Sequence, residues 1–544
     1  MAAEEHFPVL IVGGGPVGLS TAMFLSRHGI QPLLVEKRTG TSLLPRAPGL
    51  QARTMELFRA AGVAPQVRAL EMGDSHAYFE GGILRVDTFA DIANAVVLEA
   101  PSLDGPTISP ERVMGCGQDR YERVLVDLAR QTGAQIRFGC RLVSFDQDPD
   151  GVTALLEDVE SGERRTVRAA YLVGADGARS RVREQLGVTR TGRGTVFHAL
   201  SIYFRSTRLE QLLDGRKFIL CYATAGGMVG LSRLHGRDPW LAAPVYRPDL
   251  GESPEDFDDE RCLAVLRTAA GSADLDVEIM AKVPWEGAQL VAERFRVDRV
   301  FLAGDAAHVH PPAGGFGANT GIHDAHNLAW KLAAQLKGWA GDGLLDSYHA
   351  ERQPLGTAMA AQAMVRNRIR HGYASDKDRA EMVDDIIITL GYRYRSDLIA
   401  QAEEGDVLTP RLELTGEPGT RAPHVWLDRD GERLSTVDLF WSSYVLLTRE
   451  DGHAWCDAAA RIADRLRVPL RAYRVGPGGD LVDADGDWAR RFGVPPGGAV
   501  LVRPDAFVAW RGGSSGGVDE ETVLAGVVAQ ATGGRSAVAS GPGR

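Results

Sequence analysis

The sequence feature that most constrains the fold is a glycine-rich turn inside the stretch VLIVGGGPVGLSTAMFL. The apolar run FPVLIV before it is typical of a buried parallel strand, and PVGLSTAMFLSRHG after it is typical of a helix. A second apolar run, PLLVE, completes a strand–helix–strand unit of the dinucleotide-binding kind. Here Gly13 permits the tight turn, Gly15 lets a pyrophosphate approach the backbone, and Gly18 lets the helix pack closely. Pro16 and Val17 occupy the first helical turn, whose amides face the phosphates.

The same stretch has no charged residue from position 7 to position 26, which is about the length of a membrane span. However, Glu4 and Glu5 stand where a signal peptide carries basic residues. A spanning helix would also not carry consecutive glycines and a proline at its centre. We therefore expect neither a membrane anchor nor a secretion signal.

Glu36 closes the second strand 18 residues after the last glycine of the turn. A carboxylate at this position accepts hydrogen bonds from an adenosine ribose and repels a 2′-phosphate. The bound nucleotide is therefore predicted to be FAD or NAD rather than NADP. We assign Lys37 and Arg38, which follow directly, to the same cofactor-binding segment.

Charge and cysteine content narrow the possible partners and compartment. The net charge of −11 argues against nucleic acid as a main partner, since nucleic acid requires a basic face. The five cysteines are widely spaced and never arranged as C-x-x-C. This pattern disfavours disulfides and a zinc site, and it predicts a cytoplasmic protein.

Two further segments separate FAD from NAD. YLVGADGARSRVRE reads as a strand, a Gly-Asp-Gly turn and a basic helix. RVFLAGDAAHVHPPAGGFGANTGIHDAHNLAWKLA reads as a strand, a Gly-Asp turn, a glycine-rich loop and a long amphipathic helix. With PRAPGLQARTMELFRAAG, LLDSYHAERQP and the N-terminal turn, these motifs closely resemble the class A flavoprotein monooxygenases, the single-component aromatic hydroxylases. The resemblance covers most of residues 1–360.

The resemblance implies a set of FAD contacts beyond the glycine turn. Asp305 would bind the ribityl chain, and Pro312 with the backbone of Gly315, Gly317, Ala318 and Asn319 would line the isoalloxazine ring. The remaining implied cofactor contacts are Arg46, Gln118, Leu142 and Asp176. Backbone amides of the glycine-rich loop suit the negative charge that flavin reduction places near N1 and C2=O.

The histidines of this region invite a metal interpretation. His308 and His310 lie two residues apart, and His323 and His326 lie three apart on one helix. Zinc needs donors that converge on one point, whereas this helix must also hold the flavin loop. We therefore predict no metal and interpret His308 and His310 as loop supports.

Between the two Asp-containing motifs, several short apolar runs predict an antiparallel sheet laid over the flavin. In WLAAPVY, alternate residues from Trp240 to Tyr246 should share one face. Aromatic and aliphatic side chains on such a face suit a large flat apolar substrate, although they could equally fill a core. The substrate-binding candidates are Tyr203, Tyr222, Met228, Trp240 and Tyr246. The sequence identifies no catalytic base.

After about residue 395 the sequence changes to a Pro- and Gly-rich linker and then to strand, helix, strand and hairpin patterns. This part resembles the thioredoxin-like domain of polyketide and phenol hydroxylases, without C-x-x-C because Cys456 stands alone. The predicted fold is α/β, with a Rossmann-like FAD-binding domain, an inserted antiparallel-sheet substrate domain and this C-terminal domain. The predicted segments are FAD-binding 1–188 and 295–395, substrate 189–294, linker 396–420, thioredoxin-like 421–530 and a flexible tail 531–544.

RPDAFVAWR is similar to the corresponding segment of aromatic polyketide hydroxylases. The resemblance implies an FAD-dependent monooxygenase that consumes NADPH or NADH and O2, and hydroxylates a polycyclic aromatic polyketide through a C4a-hydroperoxyflavin. Such an enzyme would act in antibiotic biosynthesis as a monomer or homodimer. A Baeyer–Villiger-type or antibiotic-inactivating oxygenase is an alternative on the same fold. An NAD-dependent dehydrogenase and a non-catalytic flavin-binding protein are alternatives of other classes.

Overall fold

The computed structural model describes residues 5–73, 75–100, 108–234, 239–400, 405–412, 414–513 and 518–534. Within these ranges, no helix is both long enough and apolar enough to cross a membrane. Four of the five cysteines are buried free thiols, and Cys456 is a half-buried one.

The strands, in chain order, are β1 Glu5–Val12, β2 Leu33–Glu36, β3 Gly49–Leu50, β4 Ile83–Val86, β5 Val96–Glu99, β6 Met114–Gly115, β7 Gln135–Phe138, β8 Cys140–Asp148, β9 Gly151–Asp158, β10 Arg164–Gly174, β11 Arg190–Arg205, β12 Leu220–Ala223, β13 Val229–Arg233, β14 Trp240–Tyr246, β15 Glu278–Ala292, β16 Arg296–Val297, β17 Val300–Leu302, β18 His308–Val309, β19 Trp426–Arg429, β20 Glu432–Ser435, β21 Tyr444–Arg449, β22 Leu470–Val475, β23 Gly498–Val502 and β24 Val508–Gly513. The α-helices are α1 Pro16–Arg27, α2 Ala52–Ala60, α3 Ala64–Arg68, α4 Ser75–Glu80, α5 Gln118–Gln131, α6 Arg181–Gln185, α7 Thr207–Leu212, α8 Asp259–Ala270, α9 Phe316–Leu336, α10 Gly343–Arg370, α11 Asp376–Glu381, α12 His453–Leu466, α13 Trp488–Arg491 and α14 Glu520–Ala531.

The first sheet has the order β16-β17-β10-β1-β2-β7, and β1 pairs in parallel with both β2 and β10. The strand–helix–strand unit predicted from the sequence is therefore confirmed. Strand β17 is also parallel to β10. Because parallel strands end at the same edge of a sheet, the residues that follow β1, β2, β10 and β17 meet there. This edge carries the predicted cofactor motifs.

The second sheet has the order β18-β15-β11-β14-β13-β12-β4-β5 and is mainly antiparallel. The predicted antiparallel pairing is present, and one of its hairpins turns at Gly226 and Gly227, between β12 and β13. Strands β4, β5 and β18 come from outside residues 189–294, which were predicted to hold the substrate domain. The sheet is thus completed by strands that precede and follow the predicted insertion.

The C-terminal sheet has the order β22-β21-β23-β24, in which β21 is parallel to β22 and antiparallel to β23. Helices α12 and α14 contact each other and pack in the same apolar cluster as part of this sheet. The thioredoxin-like description stays a prediction.

Buried contacts fix the C-terminal part to helices α9 and α10. Arg503 donates to Glu351 of α10 at 2.5 and 2.9 Å, and both side chains are fully buried. Asp505 accepts from the indole of Trp330 on α9 at 3.2 Å. Phe507 stacks on Tyr394 with a centroid separation of 4.0 Å. The C-terminal part therefore supports the two helices that follow the second cofactor motif.

Candidate active site

The turn between β1 and α1 forms an open cradle beside Gly15. A Cβ added to Gly13, whose φ is +113°, would lie 2.2 Å from the carbonyl oxygen of Ala175. One added to Gly18 would lie 1.9 Å from the carbonyl oxygen of Gly13. Apart from adjacent residues, no atom lies within 4 Å of a Cβ built on Gly15. Packing therefore requires the first and third glycines, whereas the second leaves space for a ligand at the start of α1.

Glu36 ends β2 beside this turn. Its Oε2 accepts from the Gly14 amide at 2.6 Å, and its Oε1 accepts from the Arg38 amide at 2.9 Å. An ionised carboxylate can accept about four hydrogen bonds, so both oxygens can still accept from a ribose. Lys37 and Arg38 follow with exposed side chains. This geometry fits the adenosine end of a dinucleotide.

Arg46 and Gln118 are neighbours although they are distant in the sequence. The Gln118 amide donates to the carbonyl oxygen of Arg46 at 3.0 Å, and its side chain donates to Glu122 at 2.6 Å. Burial raises the pKa of Tyr203 on the second sheet, while the nearby Arg46 lowers it. Leu142 packs in the core of the first domain, so only its backbone is available to a cofactor.

Asp176 follows β10 and lies against the glycine turn. A Cβ on Gly13 would stand 3.0 Å from the Cα of Asp176. Its Oδ2 accepts from the Val182 amide at 3.2 Å, while its buried Oδ1 has no partner among the described residues. An orphaned buried acceptor at this position fits a ligand that donates hydrogen bonds.

The Gly-Asp turn that carries Asp305 packs directly on the start of α1. Gly304 has a φ of +59°, and a Cβ there would lie 2.6 Å from Cγ2 of Val17. Gly321 of α9 approaches the same atom, with a corresponding distance of 2.4 Å. Two glycines thus let the second cofactor motif close on the first, so one dinucleotide can reach both.

Asp305 is exposed within an otherwise buried stretch. Surrounding protein raises the pKa of its carboxyl, while the nearby His308 opposes that rise. The described residues give this carboxylate no hydrogen-bond partner. A sugar hydroxyl supplied by a ligand would satisfy it, which fits the predicted ribityl contact.

The loop before α9 presents backbone amides toward the side of the fold that carries Asp305. Pro312 and Gly315 are exposed, and the Gly315 amide donates to the Pro312 carbonyl oxygen at 3.0 Å. Gly315, with a φ of +66°, is the N-cap of α9 and leaves the first amides of the helix without a side-chain cap. The amides of Gly317 and Ala318 can therefore donate to an anionic group, as the predicted contact with N1 and C2=O of a reduced flavin requires.

The side chain of Asn319 is fully used within the protein. Its Oδ1 accepts from the Gln51 amide at 2.9 Å and from the Thr54 hydroxyl at 2.7 Å. Its Nδ2 donates to the carbonyl oxygens of Gly49 and Gly315, each at 3.0 Å. Asn319 therefore ties the glycine-rich loop to the segment before α2, and only its backbone is available to a flavin.

A buried hydrogen-bond network centred on Asp324 holds the Gly-Asp turn in place. Asp324 accepts from the Gly304 amide at 3.0 Å, from His308 Nε2 at 2.7 Å and from Arg352 Nε at 2.6 Å. Burial alone would raise the pKa of Asp324, but Arg352 and His308 lower it to about 2. The motif LLDSYHAERQP contains Arg352 but does not indicate this role, because the contact joins two separate helices, α9 and α10.

The histidines are distributed over several separate contacts. His310 Nδ1 binds the carbonyl oxygen of Pro311 at 3.1 Å, and burial lowers the pKa of His310 to about 4. His323 Nε2 lies 3.0 Å from the Thr54 hydroxyl, and His326 packs edge-on against Phe24. In the part of the chain that the structure describes, no three metal-ligating side chains converge.

The face of the second sheet that carries Tyr203 and Tyr222, which we call the inner face, turns toward the FAD-binding domain. Tyr203 on β11 lies near Arg46 of the FAD-binding domain. Tyr222 is half-buried on β12, and Met228 is half-buried immediately before β13. Three of the five predicted substrate contacts therefore lie on this side.

Trp240 and Tyr246 require a correction. Both side chains lie on one face of β14, as predicted. That face is the outer face of the sheet, opposite the inner face defined above. They pack with Phe257 and Cys262, on and beside helix α8, in a closed apolar cluster. Alternation in a strand shows which residues share a face but cannot show which face meets a helix, so we remove both from the substrate candidates.

An aromatic wall that the sequence did not reveal lines the inner face. Phe197 on β11 stands edge-on to Trp285 on β15, with a centroid separation of 5.3 Å. The ring of His371, just after α10, lies 5.9 Å from Phe197 and 6.0 Å from Tyr222. Only the pairing of β11 with β15 could have signalled it, and that pairing spans about 90 residues of sequence.

Arg370 brings a buried cation to this wall. Its Nε and Nη2 donate to Glu99 of β5 at 2.7 and 2.9 Å. Burial raises the pKa of Tyr222, while a hydrogen bond and the charge of Arg370 lower it. Tyr222 therefore remains a neutral phenol beside a guanidinium whose position Glu99 fixes.

The chain is similar to proteins of known activity over nearly its whole length. Residues 6–363 match the family described as FAD binding domain, and residues 415–533 match the one described as aromatic-ring hydroxylase, C-terminal. Tetracenomycin A2 monooxygenase-dioxygenase of Streptomyces glaucescens is 46% identical over 529 residues, which cover 94% of each chain. Aklavinone 12-hydroxylase RdmE of Streptomyces purpurascens is 40% identical over 93% of this chain and 96% of its own. A ternary complex of aklavinone-11 hydroxylase with FAD and aklavinone has a TM-score of 0.87 at 38% identity, covering 98% of this chain and all of that one.

Proposed function

The chain belongs to the class A flavoprotein monooxygenases, in the aromatic polyketide hydroxylase subgroup, and on that premise we propose that it hydroxylates a polycyclic aromatic polyketide during antibiotic biosynthesis. FAD is the resident cofactor, and NADPH or NADH and O2 are the co-substrates. The observation that carries this proposal is the combination of the Gly15 cradle, the Asp305 turn that packs on it through Gly304 and Val17, and the aromatic inner face of the second sheet. A flavin held by the first two features would present its ring near the third.

Bound FAD, once reduced and exposed to O2, supplies an electrophilic oxygen for an electron-rich ring carbon. The protein's own part is to hold the ring, exclude water and favour the ionised phenol. Phe197, Trp285 and Tyr222 offer flat apolar contacts. Arg370, kept in place by Glu99, stabilises negative charge that develops on a substrate hydroxyl.

The proposal is tested by purifying the holoprotein and following NADPH oxidation with tetracyclic polyphenols of the anthracyclinone and tetracenomycin classes. We expect oxidation to accelerate with substrate, and the product to gain one oxygen atom from 18O2 for each NADPH consumed. The matched reactions without O2 should give no product. NADPH oxidation that no aromatic compound accelerates would contradict the proposal.

One relative is named a monooxygenase-dioxygenase, so insertion of more than one oxygen atom is a second outcome to test. We propose counting the 18O atoms in the product, because that activity would insert more than one oxygen. Product NMR separates ring hydroxylation from a Baeyer–Villiger outcome, since only the latter enlarges or opens a ring. A colourless protein without flavin absorption would instead favour a dehydrogenase.

A further inference from the structure

His371 lies directly after α10, at the point where that helix meets the inner face of the second sheet. Its ring is within about 6 Å of the rings of Phe197, Tyr222 and Tyr373, measured between centroids. Phe197 and Tyr222 belong to the wall that would hold a planar substrate. The imidazole is therefore part of the surface that an aromatic ring would touch.

The hydrogen bonding of His371 fixes its tautomer. Its Nδ1 lies 2.8 Å from the carbonyl oxygen of Asn367. Because a carbonyl oxygen can only accept, Nδ1 carries the hydrogen, and Nε2 of the neutral ring keeps its lone pair. Burial lowers the pKa of His371, with the Asn367 bond opposing that shift and Arg370 adding to it. At neutral pH the ring is thus an acceptor at Nε2.

The charges around His371 favour removal of a proton from a neighbouring phenol. Arg370 precedes it and is paired with Glu99. A Cβ built on Gly372 would lie 3.7 Å from Nη1 of Arg85 on β4. The other titratable neighbours are the hydroxyls of Tyr222 and Tyr373, the second of which accepts from Asn367 Nδ2 at 3.2 Å. Arg370 and Arg85 would stabilise a phenolate next to this ring, although Glu99 and Asp385 offset part of the charge of Arg370.

Helix α10, which ends just before His371, also contacts the residue that follows the glycine-rich loop. Arg366, five residues before His371, lies over the ring of Phe316, with 5.2 Å from the guanidinium carbon to the ring centroid. Phe316 is the first residue of α9 and directly follows Gly315. Five helical residues span about 7.5 Å. Helix α10 therefore contacts the start of α9 through Arg366 and meets the inner face of the second sheet at its C-terminal end.

From this geometry we infer that His371 is the general base that ionises the phenol of the aromatic substrate, an inference that rests on the function proposed above. The phenolic O–H bond breaks, an N–H bond forms at Nε2, and the electron pair remains on oxygen. Delocalisation of that pair makes the ortho and para carbons nucleophilic toward the oxygen supplied at the flavin. After the new C–O bond forms, the ring C–H proton passes to solvent and its bonding pair restores the aromatic ring as a phenolate. The imidazolium then returns its proton to that phenolate.

The test uses the FAD-loaded enzyme and alizarin, a dihydroxyanthraquinone whose colour changes when its phenol ionises. The wild-type protein should bind alizarin and show the phenolate spectrum at a lower pH than free dye. His371→Gln should bind the dye within a few fold of wild type but lose this low-pH phenolate. His349→Gln is the matched control, because His349 on α10 is half-buried as His371 is, but it accepts a hydrogen bond from the Phe295 amide and lies edge-on to the Phe295 ring instead of on the inner face.

The turnover readout uses the polyphenol that accelerates NADPH oxidation in the preceding assay. General-base catalysis contributes about 10²–10⁴-fold, so kcat for hydroxylation should fall by that factor in His371→Gln with little change in KM. The pH dependence of the remaining rate should follow the phenol rather than an imidazole. If the Gln variant loses FAD, His371→Asn, whose amide can still donate to Asn367, takes its place.

A Gln or Asn variant that ionises bound alizarin as wild type does, with an unchanged pH profile, overturns the assignment of His371 and leaves the proposed function standing. Wild-type holoenzyme that binds neither alizarin nor any of the tetracyclic polyphenols overturns the proposed function, and the assignment with it.

Discussion

Replacing Gly15 with alanine is expected to weaken FAD binding without destabilising the apoprotein. Gly15 has a φ of −82°, which alanine adopts readily, and the new methyl group would point into open space. That space is where the pyrophosphate must approach the amides at the start of α1. The methyl group therefore competes with the ligand and not with the fold.

The magnitude follows from the bonds at risk. Each hydrogen bond from these amides to a charged phosphate is worth about 1.5–3 kcal/mol, so losing one should raise the Kd for FAD about 10- to 150-fold. A Gly-to-Ala change at a compatible φ stabilises the apoprotein by about 0.4–1 kcal/mol. Gly18→Ala is the contrasting variant, because its Cβ would lie 1.9 Å from the Gly13 carbonyl oxygen and overpacking costs about 1–3 kcal/mol.

The assay removes the flavin, titrates FAD back while following flavin fluorescence, and measures thermal unfolding of each apoprotein. Gly15→Ala should lose affinity at unchanged or slightly raised Tm, whereas Gly18→Ala should lower the Tm of the apoprotein. Equal FAD affinity for Gly15→Ala and wild type would refute the placement of the pyrophosphate. A Tm loss in Gly15→Ala as large as in Gly18→Ala would refute the separation of packing from binding roles.

Three further changes test other parts of the structure. Asp305→Ala removes a charged acceptor from sugar hydroxyls, at a cost of about 1.5–3 kcal/mol, so the same titration should show weaker FAD binding; an unchanged Kd contradicts the ribityl contact. Trp240→Ala should lower the free energy of unfolding by about 3–5 kcal/mol in urea, and a neutral result contradicts its core position. Burial lowers the pKa of His28 from 6.5 to about 3, so below pH 6.5 the unfolded chain binds a proton that the native protein refuses. The His28 contribution to the free energy of unfolding should therefore fall as the pH drops from 6.5 toward 3, by about 1.4 kcal/mol per pH unit. His28→Phe, which keeps a ring stacked on Trp441, should lose that contribution, so that its stability falls less than that of wild type between pH 7 and pH 5 in denaturation; the other buried histidines, such as His310, keep theirs.

The parts of the site that could be predicted from the sequence are those set by local backbone chemistry. The turn at Gly13, the carboxylate of Glu36 and the strand end before Asp305 each depend on a few consecutive residues. Parallel strands then bring these points to one sheet edge without further information. The side chain of Asn319 shows the limit of this reasoning, because three of its four hydrogen bonds join residues 265 to 270 positions apart.

The substrate side could not be predicted in the same way, because a strand's period of two leaves the choice of face open. Trp240 and Tyr246 belong to the outer face only because α8 covers it, and no residue within β14 encodes that cover. His371, by contrast, lies on the inner face although nothing in the sequence indicated it. Its surroundings come from β11, β12 and β5, so its chemistry arises from strands that precede it by more than 140 residues. The cofactor-binding half of this active site is thus encoded by short local motifs, whereas the substrate-binding half forms only when the second sheet packs against α10. Sequence differences that change the substrate among such enzymes should therefore concentrate in the substrate-binding half.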